Sequence, residues 1–412
     1  MHIWIVNYYC APPEFDHHGR HIAFARHLQK EGNSVSIIMA GSHGSKDYVK
    51  DYDGKKFRYV RYDDLEFIHV KCSHYSGNGI KRCFSIFQFA MRVFRSRKQF
   101  EKPDIILHNI HEPFDYPISW CAKRLKAKYI VEDWDMWTRS FITMGFFKKN
   151  GLLSKVISSI SESLFAKADS IVFSIEGGKE YVKDMGWDKD SGGKVDLSIV
   201  HYINNGVDLK EFDRCVNEEL LDDDDLKDDT CFKAVYMGTI SFANNLKTLI
   251  DVAKLLLNQS KIKFLIYGDG ADRNELEEYC REEGITNVIF KQKRIPFSKV
   301  PYVLNCCNLN LLHYNQNVGH YGLSAGKLFM YLASGKPICS NLDLRDYDLI
   351  TKNNIGIAKP FQSSDEYAEA ILSLVNLPKS EYDSMCIRVR KVSEQFDYSV
   401  LSQHLINIIN KL

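Results

Sequence analysis

Short apolar runs alternate with stretches of helical period along nearly the whole chain. Ile3–Asn7, Ser34–Met39, Asp104–His108, Tyr129–Glu132, Ser170–Phe173 and Ser198–Tyr202 read as buried strands. Helical patterns separate most of them, for example His17–Glu31 and Pro113–Lys126. The pattern then restarts at Phe232–Met237, Lys263–Tyr267, Asn287–Phe290, Leu309–His313 and Pro337–Ser340. Such alternation predicts an α/β protein with parallel sheets covered by helices on both faces. So many strands exceed one ordinary sheet, so two Rossmann-like domains are expected.

The break falls at Asn205-Gly206, a turn signal. Asp222–Asp225 follow, with Asp228 and Asp229. Contiguous carboxylates repel one another and do not easily converge on one ion, so a solvated acidic linker is expected. The expected organisation is a first domain over 1–205, a linker over 206–231 and a second domain over 232–394. A C-terminal helix over 395–412 would pack back towards the first domain. Two such domains would face each other across a cleft at the carboxyl ends of both sheets, where ligands of these folds bind.

Charge and composition narrow the function. Lys and Arg number 54 against 53 Asp and Glu, so the global basic charge that nucleic-acid binding needs is missing. No run of 18 apolar residues occurs, and the start lacks a basic, then long apolar, leader, so a cytoplasmic protein is expected. The 11 cysteines are scattered with no Cys-x-x-Cys, which fits reduced thiols.

Four loops carry candidate chemistry. Pro12–Arg20 leads from the first strand into a helix that opens near Gly19. Backbone N–H groups there could hold a phosphate, with His17, His18 and Arg20 adding charge. It could equally be an ordinary strand–helix turn. His320–Lys327 opens the helix Lys327–Ala333, and Gly322, Leu323, Ser324, Gly326 and Lys327 suit a pyrophosphate cradle. It is not a P-loop, since Leu328 stands where Ser or Thr is required. Gly268-Asp269-Gly270 follows the strand ending at Tyr267 and could face a nucleotide or simply turn the chain. Glu132-Asp133-Trp134-Asp135 ends an inner strand with acidic groups, which could hold Mg or Mn. Ile80–Phe100 holds Lys81, Arg82, Arg92, Arg95, Arg97 and Lys98 interleaved with aromatic residues and no acid. As a helix it suits an anionic membrane surface, or a core helix with a solvated basic face.

These residues together resemble glycosyltransferase family 4, the retaining nucleotide-sugar transferases of GT-B fold, over nearly the whole chain. Ala168-Asp169-Ser170-Ile171-Val172 resembles the family's step into a strand, and Asn205-Gly206-Val207-Asp208 its entry to the linker. Tyr236-Met237-Gly238-Thr239 and Tyr267-Gly268-Asp269-Gly270 are similar to its glycine turns. Lys327–Pro337 is the most specific match. Asp135-Met136-Trp137 resembles the Asp-Leu-Trp of a subgroup that builds bacterial surface polysaccharides. Asp133-x-Asp135 also looks like the metal-binding pair of the other main transferase fold, GT-A. The chain departs from the family at four positions. Gly322 and Met330 stand where two glutamates are usual, and Thr239 and Asn244 where a basic pair is usual. A thioether does not usefully accept a ribose hydroxyl.

The resemblance implies a retaining, metal-independent hexosyltransferase without a cofactor. It would move a sugar from a nucleotide-diphosphate donor to a glycan or polyprenyl-linked acceptor in capsule, O-antigen or related synthesis. The enzyme would be peripheral on the inner face of the cytoplasmic membrane. Donor contacts would come from Gly19, Arg20, Gly238, Thr239, Asn244, Gly268, Gly270, Arg294, Gly322, Leu323, Ser324, Lys327 and Met330. Glu132, Asp135 and His111 would orient the sugar or acceptor hydroxyl. His17, His18, Arg92, Arg95, Arg97 and Lys98 would face the acceptor or membrane. The alternatives are a weak or inactive GT-B subunit that binds a sugar nucleotide or partner enzyme, and a GT-B epimerase or phosphorylase.

Overall fold

The apolar run at the amino end is β1 (His2–Asn7), buried along its whole length. An inner strand of a parallel sheet is covered on both faces and needs such a run. The structure, a computed structural model, describes residues 1–412 apart from 16–18, 78, 144–150, 260 and 316–318. The chain divides into two units, Met1–Asn204 with Leu401–Leu412, and Asn205–Val400.

In the first unit β1 leads through α1 (Arg20–Lys30) to β2 (Ser34–Ala40), then a small hairpin of β3 (Ser42–His43) and β4 (Lys46–Asp47). β5 (Phe57–Tyr62), β6 (Leu65–Val70), α2 (Ile80–Ser96), β7 (Ile105–Asn109), α3 (Pro117–Leu125) and β8 (Lys128–Asp133) follow. The unit continues with α4 (Trp137–Thr143), α5 (Leu152–Phe165), β9 (Ser170–Phe173), α6 (Gly178–Asp184) and β10 (Val200–Tyr202). The sheet order is β10-β9-β8-β7-β1-β2-β6-β5, parallel except where β5 pairs with β6. Val6 aligns with Ile38 on one side and His108 on the other, so β1, β2 and β7 end together. Strand order reverses between β1 and β7, which makes the loops after Asn7 and Asn109 the switch point of this unit.

The β5–β6 hairpin was not among the expected strands; its exposed arginines, Arg58 and Arg61, hide an edge strand. β10 starts later than expected, because Asp196 caps a 3-10 turn over Leu197–Ile199 by accepting the Ser198 N–H. The helix expected from Pro113 begins at Pro117, since Asp115 ties the preceding turn to two histidines.

The second unit begins with α7 (Leu209–Glu218) and α8 (Asp224–Lys227). Then come β11 (Phe232–Met237), α9 (Leu246–Leu255), β12 (Ile262–Tyr267), α10 (Arg273–Glu282), β13 (Val288–Phe290), α11 (Val300–Cys306), β14 (Leu309–Leu312) and α12 (Gly326–Ala333). β15 (Ile338–Ser340), α13 (Leu349–Lys352), β16 (Gly356–Ala358), α14 (Ser364–Val375) and α15 (Lys379–Ser393) complete it, and α16 (Tyr398–Ile409) runs into the residues that group with the first unit. All pairings in the order β13-β12-β11-β14-β15-β16 are parallel. The switch point lies between β11 and β14, at the loops after Met237 and Leu312.

The acidic stretch is not a solvated linker. Lys291 sits 2.6 Å from Asp223 and 2.7 Å from Asp225, and Lys263 binds Asp225 and Asp228 at 3.1 and 3.0 Å. Leu226 and Phe212 are buried in the core beneath. Two lysines from the sheet neutralise the run and fold residues 206–231 into the second unit.

Candidate functional site

The switch point of the second unit gathers most of the expected donor residues. Gly238 leaves β11 at φ 155°, and a Cβ there would approach the Lys327 ammonium and the Tyr236 hydroxyl to 3.2 Å each. Lys327 lies in the first turn of α12, a helix whose start has no side-chain cap. Its Nζ sits 4.1 Å from the centre of the Tyr314 ring and 4.6 Å from that of Tyr236, and donates to the Tyr236 hydroxyl at 3.4 Å. Burial pulls the ammonium down to about 8, with no opposing carboxylate among its causes. Asn341 fixes Tyr314 by exchanging two hydrogen bonds with its backbone, at 3.1 and 2.7 Å. A half-buried cation beside uncapped helix N–H groups is suited to an anion.

The neighbouring glycines have a packing role. A Cβ at Gly268 would lie 1.8 Å from the Gly238 carbonyl oxygen, and one at Gly270 would lie 1.9 Å from that of Ile240. Both are required because the loops after β11 and β12 pack backbone against backbone. Asn244 is buried inside its turn, accepting from the Ser241 hydroxyl at 3.3 Å, so it does not offer itself to a ligand. Gly322 needs its φ of 101° to fold back on Gly319. Asn205 donates to the Ser324 hydroxyl and carbonyl, at 3.3 and 2.9 Å, which fixes the loop before α12. Leu323 and Met330 pack partly buried against the core under α12. Thr239 and Arg294 are exposed.

In the first unit Arg20 and Glu132 are corrected from ligand-facing residues to a buried strut. Arg20 Nε donates to Glu132 at 2.7 Å, Nη2 donates to the Ile203 carbonyl at 2.8 Å, and Nη1 to that of Asn204. The second Glu132 oxygen pairs with His21 at 2.5 Å. Arg20 is 3% exposed and Glu132 0%, so neither can reach a sugar or diphosphate. Burial alone would raise the Glu132 carboxyl, yet the Arg20 charge, then His21, hold it at about 2. Gly19 precedes α1 without a side-chain cap, and His17 and His18 lie outside the described residues.

His111 occupies the switch point after β7. Its Nδ1 lies 3.2 Å from Asp115, which also accepts from His108 at 3.1 Å and from the His111 N–H. Burial opposes ionisation of Asp115, but the two histidines hold it below the usual carboxylate range. In a neutral imidazole that donates Nδ1–H to Asp115, Nε2 of His111 is the acceptor atom of the ring. Tyr9 and Trp137 flank the imidazole at 4.9 and 5.4 Å, and Arg82 lies over both of these rings. Sequence reasoning missed Tyr9, Trp137 and Asp115 as parts of this patch; the Tyr8-Tyr9 pair at the end of β1 was the available signal.

Asp135 is exposed, while Asp133 is buried and accepts the N–H groups of Asp135 and Met136 at 3.1 and 2.9 Å. The two carboxylates thus do not converge, and no cluster of three or more metal-ligating side chains occurs among the described residues. Burial raises Asp133 to about 7, and buried Glu112 beside it is also raised. Asp133 Oδ2 and Glu112 Oε2 have no partner among the described residues. A carboxyl raised on folding contributes stability below its unfolded value, and loses it as pH climbs through about 7. Asp133→Asn, which mimics the neutral acid, should therefore raise the melting temperature clearly more at pH 8 than at pH 5. Equal effects at both pH values would mean that Asp133 is ionised in the folded chain.

On α2 and just after it, Arg92 donates to the Lys71 carbonyl and Arg97 to that of Phe94 at 2.6 Å, whereas Arg95 and Lys98 are exposed. Phe89 and Phe100 are core residues, so only part of the basic aromatic stretch faces outwards.

The family model described as glycosyl transferases group 1 matches residues 217–391, inside the second unit. That unit therefore carries a glycosyl transferases group 1 domain. No curated protein matches the chain. Among solved structures, the chain is similar to a trehalose-6-phosphate protein of E. coli bound with UDP-2-fluoro glucose. That match has 10% identity and a TM-score of 0.75, covering 100% of this chain and 99% of that one. It is similar to Anabaena HepE in complex with UDP and glucose, with 13% identity and a TM-score of 0.67 over 100% of both chains. A glycosyltransferase from Rickettsia africae matches at 14% identity and 0.66, covering 100% and 98%. The chain thus has the two-domain GT-B fold.

Proposed function

We propose that this chain transfers a sugar from a nucleotide-diphosphate donor to a glycan or lipid-linked acceptor. Transfer proceeds with retention and without an obligatory metal, in capsule, O-antigen or related surface polysaccharide synthesis. The observation that carries the reading is Lys327, a half-buried ammonium beside uncapped helix N–H groups at the switch point of a group 1 domain. Charge grows on the departing diphosphate in the transition state. Preorganised donors aimed at that charge lower the barrier without reorganising. Lys327 and the first N–H groups of α12 are such donors. The UDP in the HepE complex and the UDP-sugar analogue in the E. coli one support a nucleotide-sugar donor here. In the first unit, Nε2 of His111, oriented by Asp115 and flanked by Tyr9 and Trp137, suits a sugar hydroxyl.

A second reading is favoured by one observation. The usual basic pair is replaced by Thr239 and a buried Asn244, which leaves Lys327 with more of the diphosphate charge. A binding subunit with little turnover would look the same.

The test is release of nucleoside diphosphate from a panel of sugar nucleotides in the presence of membrane glycolipid extract, with and without EDTA. Release from at least one donor, unchanged by EDTA, is expected. Loss on chelation, restored by Mn or Mg, contradicts the metal-independent reading. Binding without release favours the second.

A further inference from the structure

Helix α5 is apolar on both its buried and its outer side. Its buried side holds Ser154 and Ser161 together with Ile157, Leu164 and Phe165. Its outer side exposes Leu152 (81%), Leu153, Val156 and Ile160. At about 100° per residue these four fall within an arc of about 100°. The exposed apolar residues of α2, Ile80 (87%), Phe84 and Phe87, likewise share one narrow face. Isolated exposed apolar side chains are ordinary, but two helices of one unit each presenting a stripe are not.

The two helices are stitched together. The Arg82 guanidinium of α2 lies 4.9 Å from the ring of Trp137, which opens α4, and Thr138 of α4 shares a 2.7 Å hydrogen bond with Ser161 of α5. Charge follows the same elements. No Asp or Glu occurs between Glu66 and Glu101, or between Asp135 and Glu162. The chain carries 53 acids in 412 residues, so about eight would be expected over those stretches. Lys71, Lys81, Arg95, Lys98 and Lys155 are exposed on them.

We propose that α5, with the first two turns of α2, is a membrane-insertion face for an anionic bilayer. The aliphatic stripe of α5 enters the acyl boundary, and the exposed lysines and Arg95 meet lipid phosphates. An apolar stripe framed by cations and cleared of acids has the chemistry of such a surface. A protein partner does not require removal of acids over so long a stretch. This inference deepens the lipid-linked acceptor of the proposed function. It is tested without any nucleotide sugar, so its failure leaves the donor reading standing.

The full chain is sedimented with vesicles of phosphatidylcholine alone, or with 30% phosphatidylglycerol. Wild type should bind the anionic vesicles at least about tenfold more tightly than the neutral ones. Leu152→Ser/Leu153→Ser/Val156→Ser removes exposed groups only and should weaken that binding at least about tenfold, at low and high salt alike. Arg95→Gln/Lys98→Gln should weaken it at low salt only, because screening already removes that part at high salt. Hydrogen exchange on wild type gives a readout free of mutation, with slowed exchange across 152–160 on adding anionic vesicles. The proposal is overturned if wild type ignores anionic vesicles. Unaltered binding of the triple variant also overturns it, as does a wild-type dimer that the triple variant turns into a monomer.

Discussion

Replacing Lys327 by alanine should cut sugar transfer about tenfold to a hundredfold while the protein stays folded. A charge-assisted hydrogen bond contributes about 1.5–3 kcal/mol, and each 1.4 kcal/mol is tenfold. The fold should not suffer, because no carboxylate among the described residues pairs with this ammonium. Burial lowers it from 10.5 to about 8, so the folded state binds its proton less readily than the unfolded chain does. Folding stability owed to this group therefore rises with pH between those values, and alanine removes a cost at neutral pH. Donor affinity has the opposite dependence. A diphosphate needs the charged form, so wild-type affinity should decline above about pH 8, and the variant should lack that decline. Kinetics, nucleotide titration across pH 6.5–9 and thermal melting check the three parts. Normal turnover in a folded variant would make Lys327 a packing residue.

Arg20→Met should give the largest loss of stability. Removing one partner of a buried ion pair strands the other, at a cost of about 3–5 kcal/mol. Here the stranded group is Glu132, left with His21 alone. For a unit of this size the melting temperature should fall by roughly 10 °C. Nucleotide affinity of the folded fraction should be unchanged, because the guanidinium is spent on Glu132 and two carbonyls. Glu132→Gln in the same chain should recover part of the loss. The depressed Glu132 carboxyl adds stability above its unfolded value, near pH 4.5, that is lost as pH falls towards 2. A sharp drop in nucleotide affinity with unchanged melting would restore Arg20 as a ligand cation.

These two residues show what could be read before the fold was seen. Strands such as Ile3–Val6 and Phe264–Tyr267 are continuous apolar runs, and a strand buried on both faces leaves that mark in sequence. Lys327 was legible because the glycines, the helix start and the cation are neighbours in the chain. Arg20 was not, because its partner lies 112 residues away and arrives only when β8 settles two strands from β1. The acidic run misled for the same reason. Asp223, Asp225 and Asp228 look solvated until β12 and the end of β13 bring up Lys263 and Lys291. Gly268 and Gly270 were singled out as a turn that could face a nucleotide, and a side chain at either would meet backbone. What they approach is a neighbouring loop, which no local pattern could tell from a phosphate. The outward face of α5 also escaped notice, since the helix is apolar on both sides and its buried side includes Ser154 and Ser161.

The proposed function requires the second unit to hold a nucleoside diphosphate through Lys327. The most direct measurement is thermal unfolding of wild type and Lys327→Ala with a panel of nucleoside diphosphates and their sugars, at fixed protein concentration. A ligand at a hundred times its dissociation constant stabilises by about 2.7 kcal/mol, which is roughly 5–10 °C for a unit of this size. Wild type should show a rise of that order with at least one nucleotide, and the variant a much smaller one at the same concentration. No rise with any nucleotide, or equal rises in both proteins, would contradict this requirement.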